Sequence, residues 1–338
     1  MTSPFVPEFV NSPFGDPGVY ISLPRLGTAI LVDLGNLDRF PAAKIHRVSH
    51  ILVSHTHIDH FVGFDRVLRL LLGRDTLVKI YGPTGIIDNV LGKIRGYTWN
   101  LIDGYPLVFE VFEVEPTTVR GVRLSAATAF SPQPLEAHSF FGVLCEQPEF
   151  VIRTTHLDHR IPSLAFAVEE PRRVNIRKDE LERYGFTAGP WLEALKEAIR
   201  TNAPPETTVT ATFACSEQPS QRLSIAELRT KLVEEAPGQK LAYVVDAGFT
   251  APNIERIVDL ARNADVFFCE SPFVDVDREQ AKFRYHLTAR QAGSLARWAS
   301  VKELNTFHFS PRYSGRAQEL VDEARATYSG KMDTDVAY

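Results

Sequence analysis

Residues 54–60 read Ser54-His55-Thr56-His57-Ile58-Asp59-His60, directly after the apolar run Ile51-Leu52-Val53. A strand feeding a tight turn presents His55 and His57 on one side and displaces Asp59 and His60 toward the other. That distribution suits two adjacent metal ions, each still short of a full ligand set. Nitrogen and oxygen donors without thiolate favour Zn²⁺, with Mn²⁺ or Fe as alternative occupants. An exposed polar turn has no need of this ligand chemistry.

Around this run the composition is that of an ordinary soluble enzyme. A chain of 338 residues with 44% hydrophobic and 23% charged residues can bury a large core. A formal net charge of −5 gives no overall attraction to nucleic acid, so such a partner needs a local basic surface. Cys145, Cys215 and Cys269 are widely spaced and lack CxxC pairing, as expected of buried thiols in a reducing compartment. The first residues have no basic n-region and are interrupted by Pro4, Pro7 and Pro13, and no apolar stretch reaches membrane-spanning length. The expectation is a cytoplasmic protein without a signal peptide or membrane partner.

Short β-branched runs alternate with helical patterns, which predicts an α/β layered fold. Strands are expected at 29–33, 50–54, 77–81, 119–128, 149–153, 163–168, 207–213, 241–246, 266–269 and 303–308. Helices are expected at 64–72, 84–93, 251–261, 288–299 and 315–327. The run Ala29-Ile-Leu-Val-Asp33-Leu-Gly35 is echoed by Leu241-Ala-Tyr-Val-Val-Asp246-Ala-Gly248, and each is followed by a second apolar strand. Two related halves with helices outside make an αββα sandwich with a site at the shared edge. Residues 169–206 break the rhythm, with dense charge and prolines near both ends. They read as an excursion from a single domain spanning 1–338.

Further ligands are available at strand ends. Asp246 closes an apolar strand, where an unpartnered carboxylate is costly and a bridge between two cations removes the cost. His308 ends another strand, with Ser310 and Arg312 beside it as candidate phosphate contacts. The segment Thr154–Pro162 offers His156 and His159, and spacing does not choose between them. His286 stands before Thr288, a candidate helix cap, and reads as a proton donor or anion contact. His46, His50 and His138 have no supporting neighbours and are left as structural.

Together these motifs resemble the metallo-β-lactamase fold, and within it the short form of ribonuclease Z, from about Ala29 to Arg316. The resemblance assigns Asp33 to orienting ligands from behind. It makes His55, His57, Asp59 and His60 the second motif, Asp246 the bridging ligand and His308 the fifth motif. His159-Arg-Ile-Pro-Ser163 resembles the third motif, which selects His159. His286-Leu-Thr288-Ala289 is similar to an element implicated in proton transfer and phosphate contact. Residues 169–206 resemble a flexible tRNA-binding arm, with Gly189-Pro190 and the basic residues Arg172, Arg173, Arg177 and Lys178.

What the resemblance implies is a homodimeric, two-metal phosphodiesterase that removes 3′ trailers from precursor tRNA, with Asp59 and His286 in proton handling. The alternative is a hydrolase of a small phosphodiester, ester or lactone. Three departures bear on substrate selection. The Leu-Gly-Thr-Gly opening is missing, with Val10–Gly18 and Leu23–Gly27 in its region. Ile58 stands where Gly is usual, and Leu164-Ala165-Phe166 where Gly-Tyr or Gly-Phe is usual.

Overall fold

The structure, a computed structural model, describes residues 4–171, 173–214 and 220–331. It resolves into two compact units, one of residues 1–145, 152–168 and 240–338, the other of 146–151 and 169–239.

In the first unit an eight-stranded sheet runs in chain order through Val6–Phe9, Val19–Leu23, Thr28–Val32, Val48–Leu52, Leu77–Pro83, Val108–Val114, Thr118–Ser125 and Pro132–Ser139. Its middle, from Thr28–Val32 to Val108–Val114, is parallel. A six-stranded sheet has the order Leu304–Phe307, Val266–Glu270, Lys240–Val244, Pro162–Glu169, Val151–Asp158 and Val143–Glu146, with the first three parallel to one another.

Strand alternation places one residue set on each face. Ala29, Leu31, Ile51, Val53 and Ile80 join Phe64, Val67, Ile86 and Val90 of the helices Phe64–Leu71 and Ile86–Arg95 in one buried cluster. On the second sheet Ala165, Ala167, Ala242, Val244 and Phe267 pack with Ile254, Ile257, Ala292 and Leu295 of the helices Ala251–Ala261 and Ala289–Trp298. The remaining faces meet each other: Phe9 packs edge-on against Phe268 at 5.2 Å, and the Tyr243 hydroxyl donates to Asp33. The layers are helix, sheet, sheet, helix, as the two related halves predict.

His50 is one side chain of this inter-sheet layer. Its Nδ1 lies 2.9 Å from Ser49 Oγ and its Nε2 3.8 Å from Cys145 Sγ. Burial, aided by Lys79, pushes its pKa down to about 4. The folded protein therefore resists a proton that the unfolded chain accepts near 6.5, so the stability is full above that pH and declines as pH falls toward 4. We expect His50→Gln to lose about 2 kcal/mol less stability than the parent between pH 7.5 and 5 in urea titrations. Equal losses in both proteins would refute this.

The altered N-terminal loop is tied to the sheet edges. Asn11 Nδ2 donates to the carbonyls of Asp16 and Asn36, and the Phe309 N–H donates to Pro13 O at 2.7 Å. A Cβ on Gly35 would lie 2.5 Å from Asp16 Cβ and 2.9 Å from Asp59 O, so only glycine lets these three segments approach.

The second unit has its own core. Two antiparallel strand pairs (Arg173–Ile176 with Val233–Ala236, and Thr208–Thr212 with Ser220–Ser224) and the helices Lys178–Arg183, Trp191–Arg200 and Ile225–Leu232 bury Trp191, Leu195, Leu228 and Leu232 together. The unit continues through Gln239, where the sequence reading stops at 206, because the β-branched run at 207–213 looks the same as a strand of the main sheets. Its ends are adjacent: Glu170 N–H donates to Gln239 O at 2.8 Å. Arg172 and Cys215 lie outside the described residues, whereas Cys145 and Cys269 are buried thiols. Among the described residues no helix is long and apolar enough to cross a membrane.

Candidate metal centre

Donors converge where the parallel strands end, the position at which open α/β sheets hold their ligands. Asp33 and His308 directly follow their strands, and Asp246 follows by two residues. All three are left-handed, with φ of 56°, 61° and 49°. Asp and His tolerate this region better than most residues, and the turn swings each side chain out of its strand's direction. His55 lies in the loop after Val48–Leu52, His57 caps the short helix Ile58–Phe61, and Asp59 and His60 stand in that helix's first turn. Ile58 is 79% exposed, so this departure from the resembled motif leaves the donors untouched.

The Asp246 carboxylate is the hub. Its oxygens lie 3.4 Å from His55 Nε2, 3.6 Å from His60 Nε2, 3.2 Å from His159 Nε2, 3.0 Å from His308 Nδ1 and 3.6 Å from His286 Nδ1. Among the described residues donor atoms fall into three overlapping groups: His55, His57, His159 and Asp246; Asp59, His60 and His308; and Asp246, Glu270, His286 and His308. His60 Nε2 and Asp246 Oδ1 are buried without a hydrogen-bond partner. Orphaned polar atoms are costly unless something meets them, and nitrogen and oxygen donors at this spacing suit a pair of divalent cations. The residues present fit the metals that the motifs imply.

The surrounding electrostatics agree. Burial pushes His55, His57 and His159 below the ordinary histidine range, which leaves a lone pair on each for coordination. Burial opposes a charge on His60 as well, but Asp246 and Asp33 override it and raise its pKa to about 10. The same balance holds His308 well up, chiefly through Asp246, and Asp246 well below the carboxylate range despite its burial. A proton on these imidazoles offsets the carboxylate charge that a cation offsets when bound.

Asp33 fixes the orientation of this set from behind. It accepts from Ser54 N at 2.7 Å, Ser54 Oγ at 2.9 Å and Tyr243 Oη at 2.8 Å, and stands 3.0 Å from His60 Nδ1. His159 Nδ1 similarly donates to Tyr285 O at 2.7 Å, which aims its Nε2 at Asp246. We expect Asp33→Ala to weaken Zn²⁺ affinity about 10- to 100-fold in chelator competition. Unchanged affinity would deny it this role.

Glu270 joins this cluster although the sequence reading assigns it no role. It is fully buried at the end of Val266–Glu270 and lies 2.9 Å from His286 Nδ1 and 3.2 Å from His308 Nδ1. The internal echo places it opposite the His run, the one signal that could have singled it out. Burial opposes its ionisation, yet His286 holds its pKa at about 2. His286 is raised in turn, with Glu270 overcoming the effect of burial.

Other expected contacts find different partners. His156 bonds Val114 O and stays away from the donors. Thr288 is fully buried and caps the helix Ala289–Trp298 in a reciprocal bond with Gln291, so it is no open phosphate contact. Arg312 pairs with Asp277 at 3.3 Å and lies over the Phe273 ring. Ser310 is half-buried, its N–H bonded to Pro272 O. In the second unit Arg173 pairs with Glu170, and Arg177 donates to the carbonyls of Thr230 and Lys231. Lys178 is exposed, Gly189 packs beside Trp191, and Pro190 caps the helix Trp191–Arg200. Acidic residues outnumber basic ones between 169 and 239.

This layering and donor cluster define a metallo-β-lactamase-fold protein. Two solved structures share the fold: the metallo-β-lactamase fold protein YhfI from Bacillus subtilis (TM-score 0.55, 14% identity, 97% of this chain and 94% of that one) and human tRNase Z, short form (TM-score 0.52, 18% identity, 91% and 92%). Within the fold the chain resembles ribonuclease Z. It is 29% identical to the ribonuclease Z of Deinococcus radiodurans over 306 residues, which cover 89% of this chain and 88% of that protein. No protein-family model matches the chain.

Proposed function

We propose that the chain is a metal-dependent phosphodiesterase of the ribonuclease Z kind, an endonuclease that removes 3′ trailers from precursor tRNA. One cation would be held by His55, His57, His159 and Asp246, the other by Asp59, His60, Asp246 and His308. The donor set favours Zn²⁺, with Mn²⁺ or Fe as alternatives. When bound, the pair supplies Lewis acidity and a water acidic enough to ionise near neutral pH.

The observation that carries the reading is the His286–Glu270 pair, set against the same carboxylate as the metal ligands. A ribose 3′-oxygen is a poor leaving group and needs a proton. His286 presents Nδ1 to Glu270, which leaves Nε2 as the atom to carry the transferable proton, and Glu270 raises its pKa against the opposing effect of burial. Burial opposes a charge on Asp59, but the imidazoles of His308 at 3.6 Å and His60 at 3.5 Å hold its pKa well below the carboxylate range, so it stands ionised to orient the attacking water. Products are a 3′-hydroxyl on the tRNA body and a 5′-phosphate on the trailer. A cytoplasmic homodimer completes this reading, supported by the resemblance alone.

Incubation of metal-loaded protein with a trailer-bearing precursor, with the cut mapped, tests it. We expect His286→Ala to slow that cleavage about 10²- to 10⁴-fold. Hydrolysis of bis(p-nitrophenyl) phosphate, whose leaving group needs no acid, is expected to fall far less. Equal losses on both substrates would remove His286 from this role. The second reading, a hydrolase of a small phosphodiester, ester or lactone, keeps the same centre. It is favoured by the internal partners of Arg173 and Arg177, and predicts turnover of the small diester without precursor cleavage.

A further inference from the structure

Two residues beside the metal centre are held in a conformation that their side chains disfavour. Arg160 has φ 61° and Tyr285 φ 57°, and each directly adjoins a site histidine, His159 and His286. Tyr285 caps the C-terminus of the helix Arg278–Arg284, where glycine makes the same turn without strain. A tyrosine there keeps a ring in place at a backbone cost, and such strain concentrates at ligand clamps. The Arg160 guanidinium lies 4.6 Å from the Tyr285 ring centre and 5.7 Å from that of Phe283, which is 68% exposed.

These three residues, with Phe249, Lys282 and His286, line a cavity of about 580 Å³, within the usual range for a small-molecule site. An exposed ring at Phe283 and a half-buried one at Tyr285, beside cations, are the chemistry that stacks a nucleobase and meets its phosphate. His286 belongs both to this wall and to the pair that protonates the leaving 3′-oxygen. The nucleoside carrying that oxygen is therefore brought against the same wall.

We infer that this cavity clamps the base of the nucleotide immediately 5′ of the cut, the last one kept in the product, by stacking on Phe283 and Tyr285 with Arg160 and Lys282 toward its phosphate. The inference rests on the nuclease reading, and the test separates the two. Cleavage of a precursor RNA is compared with that of the same RNA made abasic at this one position, in parent, Phe283→Ala and Tyr285→Gly proteins. The parent is expected to cut the abasic RNA about 10-fold less efficiently, and both variants to lose most of that preference. Tyr285→Gly keeps the carbonyl that holds His159 and suits the positive φ, and Phe283 is exposed, so each variant should fold. A parent that cuts both RNAs equally well, or variants that keep the full preference, would overturn the clamp and leave the nuclease standing. If the parent cuts neither RNA, the nuclease reading fails by itself. Titration with adenosine 5′-monophosphate, which carries the base and phosphate of that nucleotide, then decides the clamp: binding weakened about 10-fold in Phe283→Ala supports it, and no saturable binding overturns it.

Discussion

Asp246→Asn is expected to strip the protein of bound divalent cations and to lower phosphodiester hydrolysis on the order of 10³-fold or more. The substitution keeps size and shape but removes the charge that five imidazoles face at 3.0–3.6 Å. Asp246 is also the only residue common to both proposed ligand sets, so its loss weakens two sites at once. The amide can still accept a hydrogen bond, which makes this a test of charge and coordination rather than packing. Metal content after dialysis, and the rise in melting temperature on adding Zn²⁺, are the readouts. A ligand that binds only the folded state at 100 times its Kd adds about 2.7 kcal/mol, so the parent should show a clear shift and the variant almost none. Full metal content in the variant would sink the assignment of Asp246 as a bridge.

The second large effect concerns residues 169–239. Because Glu170 and Gln239 are hydrogen-bonded to each other, residues 171–238 can be replaced by a two-glycine link without stretching the chain. If this unit grips RNA, precursor cleavage should fall about 10²-fold, the scale of two charge-assisted contacts at roughly 1.5–3 kcal/mol each. Hydrolysis of bis(p-nitrophenyl) phosphate should change little. The salt dependence of precursor cleavage should also flatten as phosphate contacts are lost. Equal loss on both substrates would mean that the unit supports the fold, and no loss on either would remove it from substrate recognition. The internal pairing of Arg173 and Arg177 makes Lys178 the first single substitution to compare.

How much of this was legible in the sequence depended on whether a residue's job is local. His55, His57, Asp59 and His60 announce themselves because their spacing is their function. Asp246 and His308 are visible as polar residues ending apolar runs, and the strands behind them follow from β-branched periodicity. The buried helices Ala251–Ala261 and Ala289–Trp298 match the expected spans within a residue. Glu270 was less legible, since its role exists only once the second sheet brings its strand between those of Asp246 and His308. The left-handed turns at Arg160 and Tyr285 leave no trace in composition. Pro132–Ser139, an edge strand with two prolines and an almost wholly exposed surface, lacks the alternation that marks a strand. Thr288 was read correctly as a cap, and that same cap keeps its hydroxyl from any substrate.

The left-handed exits at Asp33, Asp246 and His308 have a practical consequence for anyone handling the protein. Backbone turns hold these residues at the strand ends, and hydrogen bonds from Ser54 and Tyr243 fix Asp33 behind them, so we expect the fold to persist when the cations are removed. A sample stripped with chelator should keep its circular dichroism spectrum and regain full activity on reloading. That outcome would let the protein be purified bare and furnished with a chosen metal at the bench, making the identity of the ion an experimental variable.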